Sequence, residues 1–530
     1  MAAAISASGR PTVLQEPATS GSKTSRSADG AVARVEVRGT GVVLKRQLAL
    51  KRQITELPPA SSSAAASSMA AASSGTGSLT PAKSRAASGK RRASARTADK
   101  AGEPAVRLRR ATAGDHAAIE ELLSAVLPAA VRSSLAASLE HPAYEPAQRL
   151  LVERGASVLA HVHLLPRTMQ LGATQVPVGV LSQLATLPEP FSQTYDAALV
   201  RAAGRVMVER KLPVALLSTR EPRRYEAFGW TVCEGASAVQ TSSRSLLSRL
   251  ALAGLGAESC QFNIRPWRQV ELPALIHLHA LNTAGCAGTL VRNEQDWRWL
   301  VASGLFDRIY VALSTDSAAG PNEHEPCVAG YAVIRDDRIL ELMELPGHRQ
   351  VAEHLLARVA SESIERDNHA LRLHSPHARR LQALFADGAS QNGAAGGHTT
   401  GGRTPGGRQL LARVTDPALL LRQLEGELFD RADRASLSLP CELGLDVSPL
   451  KLHLRLSRRR LQLRAGKLGR SYLRTDQSTL ARLLLGMADA SQAVESGKLF
   501  ASTRLALEAA QALFPPLGFW SSPWDNADGY

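Results

Sequence analysis

The sequence has few of the features that mark several common protein classes. Its 530 residues include only five cysteines, which lie far apart without a CxxC pair. This spacing excludes a disulfide framework and a cysteine-rich zinc site, and it suits a reducing compartment. No segment approaches the roughly 18 unbroken apolar residues of a membrane span, and the apolar core of a secretory signal is absent. We therefore expect a cytoplasmic protein with no membrane span and no metal.

Acidic residues are scarce at the N-terminus, where most of the net charge of +15 is located. Residues 1–106 contain sixteen Lys or Arg and six Asp or Glu, so the rest of the chain carries only +5. The Ala/Ser/basic composition offers too little large apolar surface to offset chain entropy, so residues 1–105 are interpreted as a disordered tail. An arm for nucleic acid or anionic lipid and an organelle transit peptide remain alternatives. A nucleic-acid partner is not favoured for the mildly basic remainder.

From residue 106 the pattern changes to alternating strands and helices, and the length suggests about three or four domains. "VRLRRAT" and "GDHAAIEELLSAVL" predict a strand and a helix, and three strands joined by short turns follow. A helix over about 193–210 then leads into "PVALLST", which predicts a buried strand. "RRYEAFGW" and a final strand complete this region. The predicted class is α+β with a mixed sheet.

Two segments carry a resemblance to a known family. "LATLPEPF" ends a strand in a Thr-x-Pro-Glu bend before the helix, and "RRYEAFGW" resembles the "FYERFGF" segment of GCN5-related N-acetyltransferases (GNAT). A second strand-rich block and a C-terminal part resembling a sterol-carrier-protein-2-like domain follow. That order resembles the enhanced intracellular survival (Eis) acetyltransferases, which act on the amines of aminoglycosides and lysines.

The resemblance implies four regions with distinct roles. Residues 1–105 are the tail, 106–261 a GNAT domain, 262–416 a second GNAT-like domain that does not bind the cofactor, and 417–530 the sterol-carrier-like domain. A Gly-rich loop over 389–408 lies inside the second domain, and "QLLARVTD" after it is interpreted as that domain's last strand. Helix "STLARLLLGMAD" is expected to pack in the core of the third domain, with a lipid tunnel as the alternative.

The resemblance also implies an acetyl-CoA site whose usual glycines are missing. The family loop carries Arg/Gln-x-x-Gly-x-Gly/Ala so that backbone N–H groups approach the diphosphate. Counted from Pro188, those positions here are Phe191, Thr194 and Asp196. Asp196 either complements the helix dipole or opposes a bound diphosphate. The residues predicted to hold acetyl-CoA are Leu184, Ala185, Thr186, Ser192, Gln193, Thr194 and Tyr195. A β-bulge is expected to separate their strand from "PVALLST".

The catalytic candidates also come from the resemblance. Tyr225 matches the family's general acid toward the coenzyme A sulfur, with aromatic packing as the alternative. The chain ends in "WDNADGY", so the terminal carboxylate of Tyr530 is the candidate base, although a terminus without a role is the ordinary case. His161 and His163, predicted on one face of a strand, are further candidates, with exposed strand histidines the commoner case.

The function that the resemblance implies is acetyl-CoA-dependent N-acetylation of an amine on an aminoglycoside, a polyamine or a lysine. A catalytically silent scaffold or lipid-binding protein with a degenerate loop remains the alternative. A nucleic-acid-associated protein acting through its tail is a third reading. "RNEQDWRWL" predicts a helix that packs its tryptophans, with an aromatic wall for a cationic ligand as the alternative. The amine and the oligomeric state, including a homo-oligomer, stay open.

Overall fold

The computed structural model describes residues 106–127, 135–188, 192–233, 239–253, 262–314, 327–348, 350–374, 381, 384–385 and 408–525. The tail predicted for residues 1–105 lies outside the described residues. The described part is α+β and contains three mixed sheets of seven, six and five strands.

The first sheet begins with the meander that the sequence predicts. Its strands in chain order are β1 Val106–Arg110, β2 Arg149–Arg154, β3 Ser157–Leu171, β4 Thr174–Thr186, β5 Val214–Thr219, β6 Thr231–Val232 and β13 Gln409–Val414. Strands β2, β3 and β4 pair antiparallel, and β5 lies parallel to β4. The helices of this region are α1 His116–Val126, α2 Ser192–Glu209 and α3 Arg223–Glu226.

The second sheet has a similar succession of antiparallel strands followed by a parallel neighbour. Its strands are β7 Val239–Ser242, β8 Phe262–Pro266, β9 Arg308–Ser314, β10 Cys327–Arg335, β11 Arg338–Glu344 and β12 Ala370–Leu373, in the spatial order β7-β12-β11-β10-β9-β8. Its helices are α4 Ser243–Leu252, α5 Leu272–Thr283, α6 Glu294–Ala302 and α7 Gln350–Glu365.

Each of these two sheets receives a strand from beyond its own chain segment. Strand β7, which follows the first sheet's β6, pairs antiparallel with β12 in the second sheet. Strand β13, which follows the Gly-rich loop, pairs with β5 and β6 in the first sheet. The interpretation of "QLLARVTD" as the last strand of the second domain is therefore wrong. The alternation of apolar residues predicts a strand there but does not determine which sheet edge it joins.

The third sheet has five strands in the order β16-β15-β14-β17-β18. They are β14 Cys441–Val447, β15 Leu450–Leu456, β16 Leu461–Ala465, β17 Tyr472–Thr475 and β18 Leu499–Ala501. The helices are α8 Pro417–Gln423, α9 Glu425–Arg434, α10 Gln477–Leu484, α11 Ala490–Glu495 and α12 Arg504–Leu513. Helix α10 buries Leu480, Leu483 and Leu484, which confirms that "STLARLLLGMAD" packs in a core.

The two faces of the first sheet bury different partners. Val178, Val214 and Leu216 belong to a large apolar cluster shared with the third sheet and its helices. Ala215 and Leu217, which alternate with them on β5, pack in a second cluster with α2. The sheet is thus covered on both sides, which explains why successive residues of β5 are apolar.

Candidate active site

A cleft opens where β4 separates from its parallel neighbour β5. The two strands pair from Val178↔Val214 to Leu181↔Leu217 and no further. The next part of β4, Leu184–Thr186, remains paired with β3 on one side only. Its other edge therefore presents backbone groups that β5 does not use, at the position where the sequence predicts cofactor contacts.

A β-bulge in β4 produces this separation. His161 pairs with Ala185 and His163 pairs with Ser182, so two residues of β4 stand opposite a single residue of β3. One of the two, Gln183, has a φ of +50°, a conformation that side chains rarely adopt without support. The bulge that the sequence could not locate is thus at Gln183–Leu184.

Buried polar side chains hold the bulge in place. Arg149, fully buried, donates from Nη1 to the Gln183 Oε1 at 2.8 Å and from Nη2 to the Ser138 hydroxyl at 2.6 Å. His161 lies with Nδ1 3.0 Å from the Gln183 carbonyl oxygen and with Nε2 3.0 Å from the Arg149 guanidinium. The guanidinium can only donate, so the His161 Nε2 accepts and Nδ1 carries the proton. The Arg149 contact with the Gln183 side chain and the His161 contact with the Gln183 carbonyl oxygen both stabilise Gln183 in its strained conformation.

The two strand histidines are not exposed. His161 and His163 are both buried, because their strand lies in the interior of a covered sheet. Burial, with Arg149 adding, lowers the pKa of His161 to about 3. Burial likewise places the pKa of His163 well below its usual range, and Arg149 contributes. Both rings are therefore neutral near pH 7 and have little affinity for the proton of an ammonium.

Tyr225 lies beside the cleft on the short helix α3, which follows β5. Its ring is buried with Trp230 and α2, and Thr219 at the end of β5 is close enough to its hydroxyl to lower its pKa slightly. Burial, and next the Asp196 carboxylate, raise its pKa to about 12. The phenol therefore keeps its proton at neutral pH, as a proton donor requires.

The turn after Tyr225 lies against the start of α10. Gly229 has a φ of +78°, a conformation that favours glycine. A Cβ at this position would also force the Gln477 amide to move.

Asp196 joins β4 to α3 across the mouth of the cleft. Its carboxylate accepts a hydrogen bond from the Thr186 hydroxyl on β4. It also forms an ion pair with Arg224 on α3, whose Nη2 is 2.7 Å from the Asp196 Oδ2. Burial raises the pKa of Asp196, and the Thr186 and Arg224 contacts oppose that increase. The carboxylate does more than complement the dipole of α2, because it binds partners on both sides of the opening.

The other predicted cofactor residues are distributed around the start of α2. Thr194 is exposed, whereas Tyr195 is buried and its hydroxyl accepts from the Arg154 guanidinium at 3.0 Å. Ser192 and Gln193 begin α2, but their side chains and Phe191 lie outside the described residues. The structure brings the β4 edge, the α2 N-terminus and Tyr225 together around one cleft.

The C-terminal segment is anchored against the second sheet. Asp525 forms a buried, bidentate ion pair with Arg292, with Nε–Oδ1 at 2.8 Å and Nη2–Oδ2 at 2.9 Å. Arg292 also pairs with Glu341 and lies over the rings of Trp297 and Trp524, at 4.7 and 5.3 Å. Trp297 and Trp524 thus pack against the chain's own cation. Tyr530 lies outside the described residues.

The described residues contain neither a cluster of metal-ligating side chains nor a helix that could span a membrane. No group of three or more His, Cys, Asp or Glu side chains within these ranges has a geometry that could hold a metal ion. No helix in the same ranges is long and apolar enough to cross a membrane.

The sequence did not identify three residues that shape the site. The sequence could not show that the bulge lies at Gln183, because the residue type of a non-glycine does not reveal a positive φ. Arg149 gave a weak signal, a charge at the start of the apolar strand "RLLVER". Arg224 lies in the family-like segment, but only the three-dimensional contact shows that it faces Asp196.

Comparison with known proteins identifies the first region. Residues 107–233 match the family described as "Acetyltransferase (GNAT) domain". The chain carries a GNAT acetyltransferase domain. The splayed parallel strands, the bulge and Tyr225 all belong to this GNAT domain, and its presence makes the chain an acyltransferase enzyme. No curated protein sequence matches the chain.

Several solved structures share the fold over most of the chain. A GCN5-related N-acetyltransferase from Kribbella flavida has a TM-score of 0.56 at 14% identity and covers 81% of this chain and 99% of its own. One from Anabaena variabilis gives 0.55 at 16% identity, with 79% and 99% covered. Eis1 from Mycobacterium abscessus gives 0.53 at 16% identity, with 79% and 99% covered. At these identities the likeness concerns the fold.

Proposed function

We propose that the chain is an acetyl-CoA-dependent N-acetyltransferase that modifies an amine of an aminoglycoside, a polyamine or a lysine side chain. The observation that carries the proposal is the bulge at Gln183, which frees one edge of Leu184–Thr186 next to Tyr225. The domain plan is part of the proposal: residues 106–261 carry the catalytic domain, whose sheet β13 completes, and residues 262–416 carry a GNAT-like domain that binds no cofactor and whose sheet β7 joins. Residues 417–530 are sterol-carrier-like.

The proposed position of the pantetheine arm of acetyl-CoA is the edge of Leu184–Thr186 that β5 does not use. Backbone groups on that edge can pair with the amides of the arm, and such pairing does not depend on side-chain identity. The N-terminal N–H groups of α2, from Ser192 to Tyr195, would face the diphosphate through the helix dipole. Acetyl-CoA supplies the thioester acetyl group that is transferred.

Tyr225 is the proposed general acid. Its hydroxyl lies at the end of β5 beside the opened strand and stays protonated at neutral pH. It can donate that proton to the departing sulfur while the C–S bond breaks, as negative charge develops on the sulfur and the carbonyl of the new amide re-forms.

The terminal carboxylate of Tyr530 is the proposed base that takes the proton from the amine. Asp525 fixes the chain five residues before its end, so at most about 17 Å of extended chain separates that anchor from the terminus. Burial lowers the pKa of His141 to about 4, and the Asp525 carboxylate partly opposes that decrease. The low pKa values of the buried strand histidines make them weak alternatives.

A direct test combines binding and turnover on the full chain. Calorimetric titration with acetyl-CoA should give saturable binding, and release of free thiol should depend on added amine. Kanamycin, spermidine and a lysine peptide distinguish the three acceptor classes. A chain that binds no acetyl-CoA and releases no thiol would instead support the catalytically silent scaffold. The observation that favours this alternative is the Arg224–Asp196 contact, which lies across the cleft mouth.

A further inference from the structure

A cavity of about 960 Å³ lies far from the candidate active site, where the β3–β4 hairpin meets α5 and α9. Its lining includes Gly172 and Gln175 from the hairpin, His279 from α5 and Asp430 from α9. Gln175 and Leu184 are nine residues apart on β4, which corresponds to about 30 Å of strand. Ligand sites often form where separate parts of a chain meet, and this volume is typical of them. The cavity is therefore separate from the acetyl-CoA cleft and large enough for a small organic molecule.

His279 brings a polar atom to this cavity that the described chain does not satisfy. The residue lines the cavity and is only 6% exposed, and its Nε2 is buried without a hydrogen-bond partner among the described residues. Burial lowers the pKa of His279 to about 3, and Arg292 contributes, so the ring is neutral. A neutral imidazole nitrogen donates or accepts one hydrogen bond according to the tautomer. Because buried polar atoms are nearly always paired, the His279 Nε2 indicates a neutral polar group on a ligand.

The α9 side of the cavity carries negative charge. Asp430 and Asp433 lie about one turn apart and are exposed, and neither carboxylate has an ion-pair partner within the described part of the chain. A third carboxylate in the lining, Glu427, is neutralised by Arg431 and Arg434. Helix α5 ends at the cavity, and the C-terminal end of a helix has partial negative charge. The two free carboxylates and the helix end together favour a cationic ligand.

We propose that this cavity is a second ligand site, which binds an organic cation that has an apolar body and a neutral hydrogen-bonding group. Asp430 and Asp433 attract the cation. Apolar lining residues such as Ile276 and Leu517 contact the body, and the His279 Nε2 pairs with the neutral group. The inference goes beyond the proposed function, because the cavity shares no residue with the acetyl-CoA cleft.

The probe for this site is trimethyltyramine, which has a quaternary ammonium group, an apolar body and a phenolic hydroxyl. Its nitrogen has no lone pair and cannot accept an acetyl group, so its binding is independent of turnover. Calorimetry on the full chain should give saturable binding to one site. Phenethyltrimethylammonium, which lacks the hydroxyl, should bind about 3- to 10-fold more weakly. The uncharged isostere, in which a tert-butyl group replaces the trimethylammonium group, should bind about 3- to 30-fold more weakly.

Variants then assign these differences to residues. Asp430→Asn combined with Asp433→Asn should weaken binding of the probe about 3- to 30-fold and leave the uncharged isostere unaffected. His279→Phe keeps an aromatic ring and should abolish the advantage that the hydroxyl gives. The matched control is Glu120→Gln combined with Glu121→Gln, which makes the same charge change at exposed positions of α1. Thermal unfolding checks the fold of each variant.

The outcomes separate this site from the acetyl-CoA cleft. Saturating acetyl-CoA should leave the dissociation constant of the probe unchanged, and competition between the two would overturn the inference. No saturable binding of the probe, equal affinities for the probe and its uncharged isostere, or wild-type affinity in the Asp430→Asn and Asp433→Asn double variant would also overturn it. A chain that binds the probe but neither binds acetyl-CoA nor acetylates an amine would overturn the proposed function alone.

Discussion

At the scale of single residues, the hydroxyl of Tyr225 carries the acid chemistry of the account. Tyr225→Phe removes that proton and keeps the buried ring packed against α2. We expect kcat to fall by about 10² to 10⁴, with acetyl-CoA affinity nearly unchanged because the β4 edge is intact. Steady-state kinetics with the acetylated amine quantified would measure the loss. Wild-type kcat in this variant would reduce Tyr225 to a packing residue.

The pH profile provides a separate check on the same residue. The pKa of Tyr225 is raised to about 12, mainly by burial, so the acid stays protonated throughout the range below that value. The profile of kcat/KM should therefore rise as the amine loses its proton and show no decline caused by Tyr225 up to about pH 10. A decline centred near pH 8 that disappears in Tyr225→Phe would contradict the raised pKa of Tyr225, and a decline that persists in Tyr225→Phe would belong to another group.

Arg149 tests whether the bulge depends on its buried support. Arg149→Met keeps much of the side-chain volume but leaves Gln183 and Ser138 without the donors they now have. The free energy of unfolding should fall by about 1–3 kcal/mol, and acetyl-CoA should bind more weakly as the cleft loses its shape. Chemical denaturation and calorimetry measure the two effects. An unchanged affinity would show that the bulge holds without Arg149.

At the scale of strands and helices, the exchange between sheets limits how the chain can be divided. Strand β5 pairs with β13 along Val214–Thr219, and β6 pairs with β13 alone among the described strands. Residues 106–261 end before β13, so this fragment should aggregate or remain unfolded because both strand edges are exposed. Size-exclusion chromatography and circular dichroism, with residues 106–530 as the control, test this. A cooperative melt of the fragment would contradict it.

The sequence predicted the positions of individual strands and helices better than it predicted which strands pair with each other. Alternating residues predicted the β2–β3–β4 meander, and the apolar run "PVALLST" predicted a buried strand, which is β5. Placing β13 in the first sheet required a pairing across about 190 residues, which no local pattern encodes. The bulge depends on backbone strain and the Arg224–Asp196 contact on side-chain reach, and neither property can be derived from the residue types alone. The burial of His161 could not be predicted because segments distant in the sequence cover its face of the first sheet.

At the scale of the whole molecule, the C-terminus joins the third region to the second. Arg292, Glu341 and Asp525 form a buried network that holds the chain in place before its last residues. If the Tyr530 carboxylate is the base, adding residues after Tyr530 should lower kcat by about 10² to 10⁴ and leave acetyl-CoA affinity unchanged. A tag at the N-terminus is the matched control. Normal kcat in the extended chain would remove Tyr530 from the mechanism.

The central claim is that acetyl-CoA enters the cleft between β4 and β5. Hydrogen–deuterium exchange on the full chain tests it directly, because a ligand paired with a strand edge protects the amides there. We predict that acetyl-CoA slows exchange about tenfold or more in peptides covering 182–188 and 217–225. Protection confined to the second sheet, at β11 and β12, or no protection with saturating acetyl-CoA, would contradict the account.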